Sequence, residues 1–231
     1  MSSPTYGAII LAAGEGSRLM SSGVPRFFKP LLQVDGKFLI QHSLDFVEQW
    51  GVQNKVVVTS PLLYDVFHGL MPNVPTTVQD APRGVLDAIL CGLYQLEPVD
   101  YVLILCSDNT YGNRPGDSMR RDFEKIHDGD LSAVTVRHFD DKKTRDRLTG
   151  VKDGLLWTRG TCDDAMSWIG PLVLNRERLE KYTDELTQKD VLNTQLLETV
   201  LNGIAEHNFV QLVSDCADWG VISNGKENIF A

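Results

Sequence analysis

The residues best placed to do chemistry fall in two short stretches. The run AIILAAGEGSRL sets Gly14, Gly16 and Ser17 directly behind an apolar, strand-like segment. Glycines there let backbone N–H groups turn inward onto phosphate oxygens without obstruction from a Cβ. The run ILCSDNTYG ends a second apolar segment on Asp108, and open α/β sheets bind ligands at the carboxyl ends of their strands. A dinucleotide fingerprint would need a third glycine where Leu19 stands, and a Walker loop would need Gly-Lys-Ser/Thr after four residues, which is absent. A tight turn at the glycines and a helix or turn cap at Asp108 are the structural alternatives at this stage.

Alternating strand and helix patterns must position these residues. Tyr6 to Leu11 reads as a buried strand ahead of the glycine loop. Apolar positions 39, 40, 44, 46, 47 and 50 predict a helix over Leu39–Trp50, stopped by Gly51. Lys55 to Thr59 and Thr76 to Val78 read as strands, Pro61 to Leu70 as a short helix, Val85 to Leu96 as a helix and Tyr101 to Leu105 as a central strand. Strands separated by helices imply right-handed crossovers and a parallel sheet covered on both faces. Beyond residue 110 the pattern shifts. A helix over Met119–His127 and a strand over Leu131–Val136 precede a hairpin, Gly150-Val151 and Leu155-Leu156-Trp157, turning at Asp153-Gly154. A strand over Trp168–Leu174, helices from Arg176 and over Asp190–Leu201, and a strand over Phe209–Val213 follow. The expected fold is α/β: a single Rossmann-like domain over 1–231 with a mainly parallel, mixed sheet between helices.

Composition narrows the function. Of 231 residues, 42% are hydrophobic, enough for a packed core rather than a disordered chain. No run approaches the ~20 apolar residues that span a bilayer, and Met1-Ser2-Ser3-Pro4-Thr5 lacks a basic leader region, so a cytoplasmic protein without membrane association is expected. The four cysteines are dispersed with no Cys-x-x-Cys pair, in keeping with reduced thiols. The net charge of −9 argues against nucleic acid as a main partner. An acidic protein that handles phosphates must do so with a few placed cations and amides, or with a metal.

Four motifs, in order along the chain, resemble those of the sugar-1-phosphate nucleotidyltransferases. Leu11-Ala12-Ala13-Gly14-Glu15-Gly16-Ser17-Arg18-Leu19 followed by Lys29-Pro30-Leu31 is similar to the signature L-A-[AG]-G-x-G-[ST]-R-[LM]…K-P-[LM]. Gln79 to Ala88 resembles Q-x-x-P-x-G-[TL]-[AG]-x-[AS]; Ile104 to Gly112 resembles L-x-L-G-D-N-x-x-x-G, with Ser107 at a glycine position; Asp215 to Val221 resembles W-x-D-[TIVW]-G-[TD]. The resemblance implies a GT-A-like nucleotidyltransferase fold that makes a nucleotide sugar and pyrophosphate from a nucleoside triphosphate and a sugar 1-phosphate. It assigns Leu11, Ala12, Ala13, Gly14, Gly16, Ser17, Gln79 and Gly84 to the nucleotide, with Gln79 and Gly84 at the base, where a carboxamide offers both a donor and an acceptor. It makes Arg18 and Lys29 the catalytic cations, with Arg26 an extra one, and gives Mg2+ to Asp108 and Asp218.

The resemblance breaks at the acceptor. The family's Glu-Lys-Pro segment after the hairpin is missing; Trp157-Thr158-Arg159-Gly160 stands there. Arg159 is the candidate to replace that lysine, and Gly150 matches the glycine that packs beside the sugar. Residues 1–112 then form a nucleotide-binding half and 113–231 an acceptor-binding half. The base stays open among UTP, dTTP and CTP, as do the sugar and any homo-oligomer. The rival functions are a CTP-dependent cytidylyltransferase for a phospho-alcohol such as phosphocholine and an inactive nucleotide-binding regulator; the latter should have lost a metal carboxylate or the first-loop arginine, and Arg18, Lys29, Asp108 and Asp218 are all present.

Overall fold

The structure is a computed structural model and describes residues 3–16, 27–111, 116–126, 132–140, 142, 148–158, 161–162, 166–184, 186, 197–206, 209–213 and 217–218. Strand β1 (Tyr6–Ala12) is flanked by parallel β4 (Asn54–Thr59) and parallel β6 (Tyr101–Cys106). The short β5 (Thr76–Val78) adds to β4, also parallel. Two two-residue strands, β2 (Gln33–Val34) and β3 (Lys37–Phe38), make a small ribbon apart from this sheet. Crossovers run through α1 (Leu39–Trp50), α2 (Tyr64–Leu70) and α3 (Val85–Leu93).

Beyond β6 the sheet turns mixed. After β7 (Asn109–Thr110) and α4 (Gly116–Ile126), strand β8 (Ser132–Arg137) pairs with β11 (Met166–Asn175), as does β9 (Gly150–Lys152), whose hairpin partner β10 (Leu155–Trp157) lies outside it; β11 runs antiparallel to β6. Helices α5 (Arg176–Asp184) and α6 (Leu197–Ile204) and strands β12 (Phe209–Val213) and β13 (Ala217–Asp218) follow; β12 pairs parallel with β8. The expected Asp153-Gly154 turn is present, with both residues in the left-handed region at φ 53° and 74°, the backbone a two-residue hairpin loop requires.

Period-two alternation sorts the strands onto two cores. Ala8, Ile10 and Ala12 of β1 and Leu103 and Leu105 of β6 pack with α1 and α4, through Ile40, Phe46, Val47, Trp50 and Phe123. Ile9, Val102 and Ile104 face the other way, onto α3, α5 and α6 through Ile89, Leu179 and Leu201. Gly92 lets α3 lie close: a Cβ there would come within 2.5 Å of Ile9 Cγ2. That approach fixes the start of α3 beside the end of β1, where the site lies. Among the described residues no helix is long and apolar enough to cross a membrane.

Candidate active site

A cleft of about 410 Å³ opens at the carboxyl ends of β1 and β6. Its floor is tied together by a Ser107 N–H donated to the Leu11 carbonyl at 3.0 Å, across the two strand ends. Leu11, Ala13, Gly14 and Gly16 line it. Gly14 leaves bare backbone there, since a Cβ on it would meet nothing within 4 Å. Gly16 holds φ at +65° and sits 3.4 Å, measured from an ideal Cβ, from Lys29 Cβ. Ala12 points the other way, 1% exposed in the α1-side core, so its side chain is structural. The loop is closed by a Phe27 N–H donated to the Glu15 carbonyl at 2.9 Å. Ser17, Arg18 and Arg26 lie outside the described residues.

Lys29 opens a single 3-10 turn, Lys29–Leu31, and is buried. Its ammonium forms an ion pair with the Asp108 carboxylate, and both residues line the cleft. A cation from the segment before α1 therefore meets an anion from the end of β6. On the opposite wall Gln79 follows β5, its N–H donated to the Thr59 carbonyl at 2.8 Å. The Gln79 amide nitrogen donates to the Gly84 carbonyl at 3.0 Å and to Asp87 at 2.7 Å. Gly84, at φ 103°, is the N-cap of α3, a conformation that glycine alone adopts without strain. Further along α3, burial and the Asp87 charge push the Cys91 thiol above its ordinary value.

The remaining sequence candidates divide. β13 pairs antiparallel with β7, so the backbone of Asp218 lies in register with Asn109, next to Asp108. Gly150 sits in register with Trp157 on one side and Ser167 on the other, away from the cleft-lining set. Arg159 lies outside the described residues. Asp87 was not singled out by sequence reasoning. An acidic residue in a first helical turn is ordinary helix chemistry, so only the fold reveals that it grips Gln79.

Residues 8–181 match the MobA-like NTP transferase domain family. Over 137 residues the chain is 34% identical to the bifunctional protein GlmU of Mycobacterium marinum, a stretch covering 55% of this chain and 26% of that protein. It is 31% identical over 137 residues to a glucose-1-phosphate thymidylyltransferase of Mycolicibacterium smegmatis, covering 55% of this chain and 46% of the relative. The chain thus spans less than half the length of these relatives. A solved UDP-glucose pyrophosphorylase with UDP-glucose bound shares the fold at a TM-score of 0.68, with 16% identity and 95% of each chain covered. A second, from Acinetobacter baumanii, gives 0.69 at 15% identity, covering 94% of this chain and 89% of the other.

Proposed function

The chain belongs to the family of MobA-like NTP transferase domains, and from that premise we propose that it transfers a nucleoside monophosphate from a pyrimidine nucleoside triphosphate to a sugar 1-phosphate. The observation that carries this reading is that Gly14, Lys29, Gln79 and Asp108, from four separate segments, line one cleft at the strand ends. Its support beyond the site is the identity with GlmU and with a glucose-1-phosphate thymidylyltransferase.

The chemistry follows from charge. An acceptor phosphate oxygen attacks the α-phosphorus, the bond to the bridging oxygen of the β-phosphate breaks, and pyrophosphate leaves. The attacking group is already an oxyanion, so no general base is needed. The difficulty is bringing one anion onto a polyanion in line. Backbone amides around Gly14 and Gly16, with Ser17 and Arg18, hold the triphosphate. Lys29 brings a compact positive charge to the α-phosphate once it leaves Asp108. Gln79 and Gly84 hold the base at the far end, so the α-phosphorus is fixed from both sides.

The residues suit a magnesium ion. Among the described residues no group of three or more His, Cys, Asp and Glu side chains converges, but this ion takes one or two carboxylates and completes its shell with phosphates and water. The Asp108 corner already seats one cation, the Lys29 ammonium. Asp108 and Asp218 would hold the metal, which when bound neutralises phosphate charge. Gly150 and Arg159 are assigned to the acceptor, residues 1–112 to the nucleotide and 113–231 to the acceptor half of one catalytic unit.

The test is a matrix of UTP, dTTP, CTP, ATP and GTP against a panel of sugar 1-phosphates and phosphocholine, with and without excess chelator, read as pyrophosphate release. Release is expected only with a pyrimidine triphosphate, a sugar 1-phosphate and free divalent metal together. Turnover confined to CTP and phosphocholine would replace the sugar by a phospho-alcohol, and no release in any well would overturn the reading.

A further inference from the structure

Gln79 is 4% exposed, and the orientation of its side-chain amide is fixed by what surrounds it. A carboxamide donates from one end and accepts at the other, and a half-turn exchanges the two. The Gln79 nitrogen has two acceptors against it, the Gly84 carbonyl at 3.0 Å and the Asp87 carboxylate at 2.7 Å. The reverse orientation would press the amide oxygen onto both and leave them without their donor. The same Asp87 oxygen accepts from Arg83 Nε at 3.2 Å, so it faces two donors, and Asp87 stands in the first turn of α3. The donor end of Gln79 is therefore turned into the protein. Its oxygen accepts from none of the described residues, and is the end left to the cleft that Gln79 lines.

We propose that Asp87 is a positioning residue that sets the polarity of Gln79, and that the cleft consequently selects a pyrimidine whose ring N3 carries a proton, uracil or thymine, against cytosine. This rests on the nucleotidyltransferase reading above and narrows it. An imide base offers an N3–H to a waiting carbonyl oxygen. Cytosine offers a lone pair at the same ring position, and two acceptors then face each other. Sites built to hydrogen-bond one group discriminate strongly against an analogue lacking it, because the protein partner is left unpaired. A glutamine in a sequence can serve either base; the carboxylate behind it removes the choice.

The test measures equilibrium binding of UTP, dTTP and CTP with Mg2+ and without any sugar phosphate, so that no turnover intervenes. The wild type, Asp87→Asn and Asp87→Ala are compared. The wild type should bind UTP or dTTP at least about tenfold more tightly than CTP, the ratio that one hydrogen-bond mismatch produces. In Asp87→Asn the new amide can donate as well as accept, Gln79 can invert, and the ratio should fall to within about threefold. Asp87→Ala keeps only the Gly84 carbonyl and should fall between. Equal weakening of all three nucleotides, with the ratio unchanged, would mean that Asp87 is merely structural and would overturn the proposal. Preference of the wild type for CTP would overturn the polarity argument while leaving the nucleotidyltransferase reading standing. Binding of none of the three, together with no pyrophosphate in the matrix, would overturn both.

Discussion

The two halves of this protein are built on different terms. Up to β7 the strands of the main sheet are parallel, and β1 and β6, whose ends bracket the cleft, are buried on both faces and end together at one edge. Short contacts hold the side chains there, Lys29 on Asp108 and Gln79 on Asp87 and Gly84, and a backbone bond ties Ser107 to Leu11. The second half hangs from β11, a single antiparallel strand whose register with β8 shifts between Trp168 and Leu172, with Gly170 at φ 97°. Its hairpin, β9 and β10, lies at the sheet edge and carries Trp157 at 40% exposure. A parallel sheet makes a site that many elements over-determine. An edge hairpin can change without disturbing the core, and Trp157-Thr158-Arg159-Gly160 stands behind it where the resembled motif has Glu-Lys-Pro.

That contrast breaks most visibly at Asp108. Asp108→Asn should lower kcat by roughly 10²–10³-fold, because it removes one of the two carboxylates proposed to hold the ion that neutralises the phosphates, a loss comparable to that of one preorganised electrostatic group. The melting temperature should move little by comparison, because asparagine still offers an oxygen to the buried Lys29 ammonium. Steady-state kinetics beside thermal melts decide it; near wild-type turnover would reduce Asp108 to a turn residue.

Arg159 tests the other half. Arg159→Ala should raise the acceptor KM by about tenfold or more, the worth of a charge-assisted contact to phosphate, and leave the triphosphate KM within twofold. Arg159→Lys should recover only part, since lysine cannot reproduce the bidentate fork. Equal changes in both KM values would erase the division between halves at this residue.

Gly92 asks whether the first half depends on its packing. In Gly92→Ala a Cβ would press to 2.5 Å from Ile9. Overpacking of this kind costs about 1–3 kcal/mol, and moving α3 also moves Gly84 and Asp87. Urea unfolding should show the loss, and the triphosphate KM should rise while the acceptor KM holds. Unchanged stability would mean that the two elements separate without penalty.

Where periodicity met a clear stop, the sequence was legible to the residue. Helix α1 begins and ends where its apolar face and Gly51 place it, Gly51 closing it at φ 89°. Four helices differ from expectation: α2 begins at Tyr64 behind a 3-10 turn over Pro61–Leu63, and two of the other three differ at glycines that serve packing rather than termination. The first starts at Gly116 rather than Met119, because a side chain at 116 would strike the Phe46 carbonyl at 2.3 Å. The last helix runs on to Ile204 through Gly203, over which the Tyr182 ring lies; its expected start, at 190–196, falls outside the described residues. Helix α3 stops at Leu93 rather than Leu96. The next turn tightens through Gln95 onto Gly92 and Leu96 onto Leu93, ahead of Pro98, so Leu96 is buried without being helical. In the site, the residue types were readable from the motifs. The meeting of Lys29 with Asp108, and the hold of Asp87 on Gln79, join residues through tertiary packing, which no local pattern encodes.

The smallest effect belongs to a joint that serves the fold of the first half. Asp100, just ahead of β6, accepts from both the backbone N–H and the hydroxyl of Thr5, each at 2.7 Å, where the chain enters β1. These two bonds hold the Asp100 carboxyl below its usual range. A carboxylate lowered in the folded state adds stability that is fully present above the unfolded value of about 3.9 and is lost as pH falls through the folded one. The site is largely solvated, so the contribution is under about 1 kcal/mol after screening. Asp100→Asn should therefore melt slightly below the wild type at pH 7, with the gap closing as pH drops past the usual carboxylate value, where both proteins carry a neutral group there. A gap that stays constant to low pH would mean that Asp100 contributes shape and not charge, and the start of β1 would be anchored by the backbone N–H groups of Asp100 and Tyr101 donated to Thr5.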